Sequence, residues 1–294
     1  MKLLVTGATG YLGWRATVLL RERGHDVLAL TRPGHAVRVA SRELDAGQVD
    51  AGDPAAREHI AGRDAVLHFA GVPDPARAAA DPARAIRENA GTTFNLLEGC
   101  HEHGAGLLYP STIRAAQVPA PDSYAASKRL GEEACRLHAA RSTVVRLTSV
   151  FGPGQVAWEG ATGAIASFAA RAFEGGPIVV RGDPGRTRDF VYVDDLVLGL
   201  EVLLERGSWE EELVAASDRA TTLLEAAEAV RDAVDPECPI ELPEDSLPAA
   251  EDESYAADPQ APRLGFDNRP LAEAISLYVD WLRTNAPTQG RARA

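Results

Sequence analysis

Three glycines at intervals of three, Gly7, Gly10 and Gly13, stand between the apolar run Leu3-Leu4-Val5-Thr6 and a segment with Leu12, Ala16, Leu19 and Leu20 at helical spacing. A strand that passes into a helix through such a turn leaves few folds open. Gly7 permits the tight turn, Gly10 lets a phosphate approach the backbone, and Gly13 lets helix pack closely on strand. The opening N–H groups of the helix, at Tyr11, Leu12 and Gly13, then face an anion at the positive end of the helix dipole. Gly7, Gly10, Tyr11, Leu12 and Gly13 are the candidate contacts for the pyrophosphate of a dinucleotide.

Strand and helix alternate beyond this turn. Asp26–Thr31, Ala65–Phe69, Gly106–Ser111 and Thr143–Ser149 read as strands. Between them the spacing predicts helices over 54–61, with Asp53 as N-cap, over 81–103, and over 123–140. Strands separated by helices imply right-handed βαβ units, hence an α/β fold with a Rossmann-like doubly wound parallel sheet over residues 1–150. After Phe151 glycine and proline cluster at 152–154, 175–177 and 182–185. Residues 151–284 read as a smaller, mixed substrate-binding region interleaved with the first domain. Its strands are expected at 178–181 and 190–193, and its helices at 194–205, 222–234 and 270–283. Thr222 and Glu225 form a capping box. The acidic stretch 235–258 reads as a solvated loop, and 285–294 as a flexible tail.

Composition narrows the function classes. A chain of 294 residues with 45% hydrophobic and 25% charged residues can bury a large core. No apolar run approaches the roughly 18–20 residues of a membrane span, and Met1-Lys2 leads directly into a strand without room for a signal peptide, so the expected location is the cytoplasm. A net charge of −13 argues against a nucleic-acid partner. Cys100, Cys135 and Cys238 lack metal-ligand spacing and read as small buried hydrophobes.

The cations are almost all arginine; Lys2 and Lys128 are the lysines. Lys128 closes Tyr124-Ala125-Ala126-Ser127-Lys128, and a spacing of four on a helix puts the two side chains on one face. A free tyrosine, with a pKa near ~10, is a poor base at neutral pH. A neighbouring ammonium is expected to lower that pKa and make Tyr124 a proton donor and acceptor. A compact, rotatable ammonium also reaches ribose hydroxyls, which the planar guanidinium of arginine does less well.

The glycine spacing, the Tyr-x-x-x-Lys pair and several further segments resemble the extended short-chain dehydrogenase/reductase family, the NAD(P)-dependent epimerase/dehydratase group. The resemblance runs along nearly the whole chain: Asp50-Ala51, His68-Phe69-Ala70-Gly71, the helix carrying Asn89, Gly91, Thr92 and Asn95, the segment Arg188-Asp189-Phe190-Val191-Tyr192-Val193-Asp194-Asp195, and Leu264-Gly265-Phe266 with Pro270 and Trp281. It implies that Asp50 and Ala51 meet the adenine, that Ala70 and Asn89 lie at the cofactor, and that a hydroxyl at the end of the Gly106 strand binds the substrate oxygen. Alignment assigns this hydroxyl to Thr112, with Ser111 as the alternative, because strand alternation turns one of the two toward the substrate. Arg188 aligns with an arginine that contacts the diphosphate of nucleotide sugars, the alternative being an ion pair within its own segment. Two helix pairs, from 82–103 and 123–140, would join in a homodimer.

Three departures shape the functional reading. The second strand ends in Leu30-Thr31-Arg32 without the carboxylate that binds an adenosine ribose and repels a 2′-phosphate. Arg32 suits a 2′-phosphate, which favours NADP, with NAD as the alternative. Ile113 and Arg114 stand where dehydratases of the family carry two carboxylates, which disfavours elimination of water. Tyr124 follows Thr112 by twelve residues, so the usual pocket-lining loop is shortened. The expected activity is an NAD(P)-dependent oxidoreductase or epimerase at a hydroxyl/keto carbon of a sugar, with a nucleotide-linked keto-sugar reductase favoured over an epimerase. The alternatives are a reductase of a non-sugar biosynthetic ketone and a non-catalytic NAD(P)-sensing Rossmann protein. No metal is implied.

Overall fold

The computed structural model describes residues 1–39, 42–156, 163–244, 254 and 256–285. The expected tail beyond Asn285, and residues 245–253 and 255 of the acidic stretch, lie outside the described residues. The chain divides into two compact units. The first comprises Met1–Leu147, Val197–Ala215 and Ala261–Gly265; the second comprises Thr148–Leu196, Ala216–Gln260 and Phe266–Ala294.

The first unit contains strands β1 (Lys2–Thr6), β2 (Asp26–Thr31), β3 (Val37–Val39), β4 (Arg42–Leu44), β5 (Gly47–Gln48), β6 (Ala65–His68), β7 (Gly106–Thr112), β8 (Ser142–Leu147) and β12 (Glu212–Ala215). Apart from the hairpin β3–β4, they form one seven-stranded sheet in the order β12-β8-β7-β6-β1-β2-β5. Its pairings are parallel throughout. β6 and β7 are buried along their whole length, as strands covered by helices on both faces must be. Strand order reverses beside β1: the chain runs outward through β2 to β5, then returns to β6 on the other side. The crevice beyond the carboxyl ends at such a reversal is where doubly wound sheets bind ligands. The Rossmann-like reading therefore holds.

Helices α1 (Tyr11–Glu22), α2 (Pro75–Ala80), α3 (Pro82–Ile86), α4 (Thr92–His103) and α5 (Ser123–Leu137) flank this sheet, and Pro54–Ile60 is a 3-10 helix capped by the Asp53 carboxylate. The single helix expected over 81–103 is interrupted. Asp81 is extended, with φ −146°, and caps α3, and a π-turn over Arg87–Gly91 separates α3 from α4. A π-turn inserts one residue into the ladder; here it coincides with the Asn89 side chain turning to the backbone of Val72.

In the second unit β9 (Ser149–Phe151), β11 (Thr187–Tyr192) and β13 (Ala220–Thr222) form a sheet in the order β13-β11-β9, while β10 (Ile178–Val179) pairs with β14 (Ile240–Glu241). Helices α6 (Ala164–Phe173), α8 (Leu223–Val234) and α9 (Leu271–Asn285) enclose a core that includes Phe151, Phe168, Tyr192 and Tyr278. Helix α7 (Val193–Arg206) starts in this unit and continues into the first. The capping box is present: Thr222 Oγ1 accepts from the Glu225 N–H at 3.0 Å, and Glu225 accepts from the Thr222 N–H at 2.7 Å. Helices α2 and α6 and strand β12 were not expected from sequence. All three cysteines are free and buried. Among the described residues no helix is long and apolar enough to cross a membrane.

Candidate active site

The turn between β1 and α1 is a backbone cradle. Gly7 has φ +70°, and a Cβ placed there would lie 2.5 Å from the Ala70 nitrogen. A Cβ on Gly13 would lie 2.4 Å from the Gly7 oxygen, and one on Gly10 3.3 Å from it. The glycines thus bring the turn against the 69–71 segment at the end of β6. Gly10 is the N-cap of α1 and gives it no side-chain cap, and the N-terminal turn at Tyr11, Leu12 and Gly13 is the positive end of the helix, which suits a pyrophosphate. On the other side of β1, Asp50 is exposed and takes the Gly52 N–H at 2.8 Å. Ala51 is buried, and its carbonyl accepts from the Asn95 amide at 2.9 Å. Arg32 is exposed at the end of β2, in a turn closed by the His35 N–H on the Arg32 carbonyl at 3.1 Å. Gln48 braces that turn, accepting from the Gly34 N–H and donating to the His35 carbonyl. These residues fit a dinucleotide.

Behind the cradle runs a buried polar chain that sequence reasoning did not anticipate. Thr6 and His68 lie in register on β1 and β6. Thr6 Oγ1 accepts the Ala70 N–H at 3.2 Å and meets His68 Nδ1 at 2.8 Å, while His68 Nε2 meets Thr93 Oγ1 at 3.1 Å. Thr93 must donate to the Asn89 carbonyl, at 2.5 Å, so it accepts from Nε2–H, and Nδ1 accepts from Thr6. The imidazole is neutral in this arrangement, and burial pushes its pKa down to about 3, assisted by the charge of Lys128. Asn89 uses both amide hydrogens on protein, on the Val72 carbonyl at 3.2 Å and Ser127 Oγ at 2.8 Å, and accepts from the Val72 N–H at 2.8 Å. The side chain expected at a cofactor thus has both of its amide hydrogens bonded to protein.

Tyr124 and Lys128 sit one turn apart on α5, whose N-cap is Asp122. Tyr124 packs against Val72, Ala78 and Ala85. Lys128 is buried, its Nζ 4.3 Å from the centre of the Tyr109 ring. The sequence reading expected the ammonium to lower the tyrosine pKa; here burial, reinforced by Asp122, pushes the Tyr124 phenol up to about 12, and the cation opposing that rise is Arg114. Burial also pushes Lys128 down to about 8. Ser111 and Thr112 end β7. Alternation puts Ser111 on the face of Tyr109, which touches Lys128, and the buried Ser111 hydroxyl has no hydrogen-bond partner among the described residues. Thr112 Oγ1 accepts from the Arg114 N–H at 3.3 Å and caps the 3-10 turn Ile113–Ala116. Arg188 lies on β11 in the second unit and donates to the Thr187 carbonyl at 2.9 Å. The neighbouring Asp189 accepts from Thr148 Oγ1 and the Ser217 N–H.

The model of the NAD dependent epimerase/dehydratase family matches residues 3–216. A dTDP-4-dehydro-6-deoxy-D-allose reductase of a Streptomyces species is 30% identical over 96% of both chains. UDP-glucuronic acid decarboxylase 1 of Arabidopsis thaliana is 25% identical over 82% of this chain, which spans 60% of that protein. Among solved structures, UDP-glucose 4-epimerase of Thermotoga maritima in complex with UDP-glucose superposes with a TM-score of 0.82 over 98% of this chain and 100% of its own, at 24% identity, and shares the fold. With the family model matched from residue 3 to residue 216, the chain belongs to the NAD-dependent epimerase/dehydratase family of enzymes.

Proposed function

We propose that this enzyme is an NADP(H)-dependent reductase of a nucleotide-linked keto-sugar, with the chemistry carried by Tyr124, Lys128 and the hydroxyls at the end of β7. The observation that carries the reading is the Tyr124–Lys128 turn of α5 beside a β7 end that continues into Ile113 and Arg114. With no carboxylate at those two positions, reduction is favoured over elimination, and the similarity to a keto-sugar reductase supports the same choice. The nicotinamide, when bound, supplies or accepts hydride at C4. Tyr124 gives its phenolic proton to the substrate oxygen in reduction and takes it back in oxidation. Lys128, one turn along α5, holds the nicotinamide ribose. Thr112, at the strand tip, hydrogen-bonds the substrate oxygen, with Ser111 as the alternative. Gly7, Gly10, Tyr11, Leu12 and Gly13 hold the pyrophosphate, Asp50, Ala51 and Ala70 line the cofactor, and Arg32 meets the 2′-phosphate.

Arg188 takes the substrate diphosphate. The exposed apolar side chains Phe94 on α4 and Leu130 and Leu137 on α5 support a homodimer through these helices, and the enzyme works in the cytoplasm. A UDP- or dTDP-linked sugar is expected to raise the melting temperature of the wild type but not of Arg188→Ala. An undiminished rise in the variant removes Arg188 from the pocket. No rise in either favours the second reading, reduction of a non-sugar ketone, which the short segment from Thr112 to Tyr124 supports.

A further inference from the structure

The segment from Thr112 to Tyr124 is short, and side chains stitch it to α5. Arg114, the second residue of the turn capped by Thr112, forms an ion pair with Asp122 through Nη2. Asp122 is at the same time the N-cap of α5, taking the Ala125 N–H at 2.8 Å on its other oxygen. Arg129, one turn beyond Tyr124, donates from Nε to the Ala115 carbonyl at 2.7 Å and from Nη2 to the Gln117 carbonyl. The paired side chains are largely withdrawn from solvent, 15% and 19% exposed, so the tie escapes much of the screening that makes surface pairs weak.

We propose that Arg114 and Asp122 are a positioning pair for the Tyr124 hydroxyl, fixing the Thr112 turn against the first turn of α5 and balancing the charge that the phenol experiences. The inference rests on the catalytic reading of Tyr124 above. The two partners act on the phenol in opposite senses: Asp122 raises its pKa and Arg114 lowers it. The other groups around it are Asp74, the N-cap of α2, which also raises it and pairs with Arg77 at 3.3 Å, Lys128 one turn along α5, and the phenol of Tyr109 on β7, which Tyr124 influences in turn. Neither Asp74 nor Tyr109 bridges Thr112 to Tyr124; the Arg114–Asp122 pair does.

Opposite signs make the proposal testable. Asp122→Asn keeps the cap oxygen and removes the charge, and Arg114→Gln removes the cation. Each is expected to lower kcat about 10-fold through misplacement of the reacting groups, with Arg114→Lys restoring most of the loss. The ionisation of Tyr124 is read directly by near-ultraviolet difference titration of each holoenzyme against its Tyr124→Phe counterpart, and independently by the pH profile of kcat/KM. Asp122→Asn should move it down in pH, Arg114→Gln up, and the double variant back toward wild type. Shifts in the same direction, or loss of activity with no shift in either variant, overturn the proposal. The titration needs no turnover, so it decides the matter even if Tyr124→Phe retains full activity and the catalytic reading itself fails. Thermal melting of each variant separates unfolding from both outcomes, and the Arg114→Gln and Arg114→Lys pair leaves the helix cap untouched.

Discussion

Asn89 holds Val72 by both of its backbone polar groups, accepting the N–H at 2.8 Å and donating to the carbonyl at 3.2 Å. Its remaining amide hydrogen reaches Ser127, the residue before Lys128. One side chain therefore ties the turn after β6 to the helix of Tyr124 and Lys128. Asn89→Ala leaves the Val72 N–H and the Ser127 hydroxyl without this partner in a buried setting, which costs about 1–3 kcal/mol per group. A destabilisation of about 2 kcal/mol or more is expected by urea unfolding, with weaker cofactor binding. A loss under about 0.5 kcal/mol would show that the clamp is dispensable.

His68 makes stability depend on acid. Its folded pKa, about 3, lies below its unfolded value of 6.5. Between these the unfolded chain binds more protons, so the stability present above pH 6.5 is lost as pH falls toward 3, with a slope of up to about 1.4 kcal/mol per pH unit from this group. Lys128, lowered from 10.5 to about 8, acts likewise in the alkaline range: stability rises from pH 8 to 10.5 as the unfolded chain holds the extra proton. Urea midpoints measured against pH should lose the acid slope in His68→Gln and the alkaline rise in Lys128→Met. Unchanged profiles in both variants contradict the assignment.

Removing the phenolic hydroxyl tests the chemistry. Tyr124→Phe should retain cofactor binding while kcat falls about 10²–10⁴-fold, the usual contribution of a positioned general acid. Lys128→Met should lose more, because a ribose contact goes with it, and Lys128→Arg should not rescue. Thr112→Val should cost less than Tyr124→Phe, and comparing it with Ser111→Ala identifies which hydroxyl meets the substrate. Wild-type turnover in Tyr124→Phe would remove this residue from the reaction.

Cofactor choice is read at Arg32. Arg32→Asp places a carboxylate at the end of β2, and NADPH binding should weaken by about 10-fold or more while NADH binding is spared, since a carboxylate there repels a 2′-phosphate and accepts from the ribose hydroxyl. Binding titrations of both cofactors check this; equal losses rule out the 2′-phosphate contact.

The parts legible in the sequence are those where local chemistry admits few residue types. The β1 turn needs glycine because a Cβ at Gly7 or Gly13 would strike backbone, and a capping box is written in Thr222 and Glu225. The parts that were not legible depend on long-range partners. Nothing in the 81–103 pattern signals a π-turn, because the turn coincides with Asn89 reaching Val72, seventeen residues back. The level of the Tyr124 phenol is not legible for the same reason: spacing places Lys128 one turn away, while burial and the charges of Asp122 and Arg114 are products of the folded loop.

The assembly order of the main sheet follows from its edge. β12, residues 212–215, pairs with β8, and the Val214 N–H and carbonyl bond to residues 262 and 264. These segments emerge from the ribosome long after residue 150, separated from β8 by much of the second unit. A nascent or truncated chain ending near 150 therefore exposes β8 as an open parallel edge, the kind of edge that recruits strands from other molecules. Genetic fragments cut at the apparent boundary should aggregate, whereas cuts that keep residues 197–215 and 261–265 with the first segment preserve the sheet.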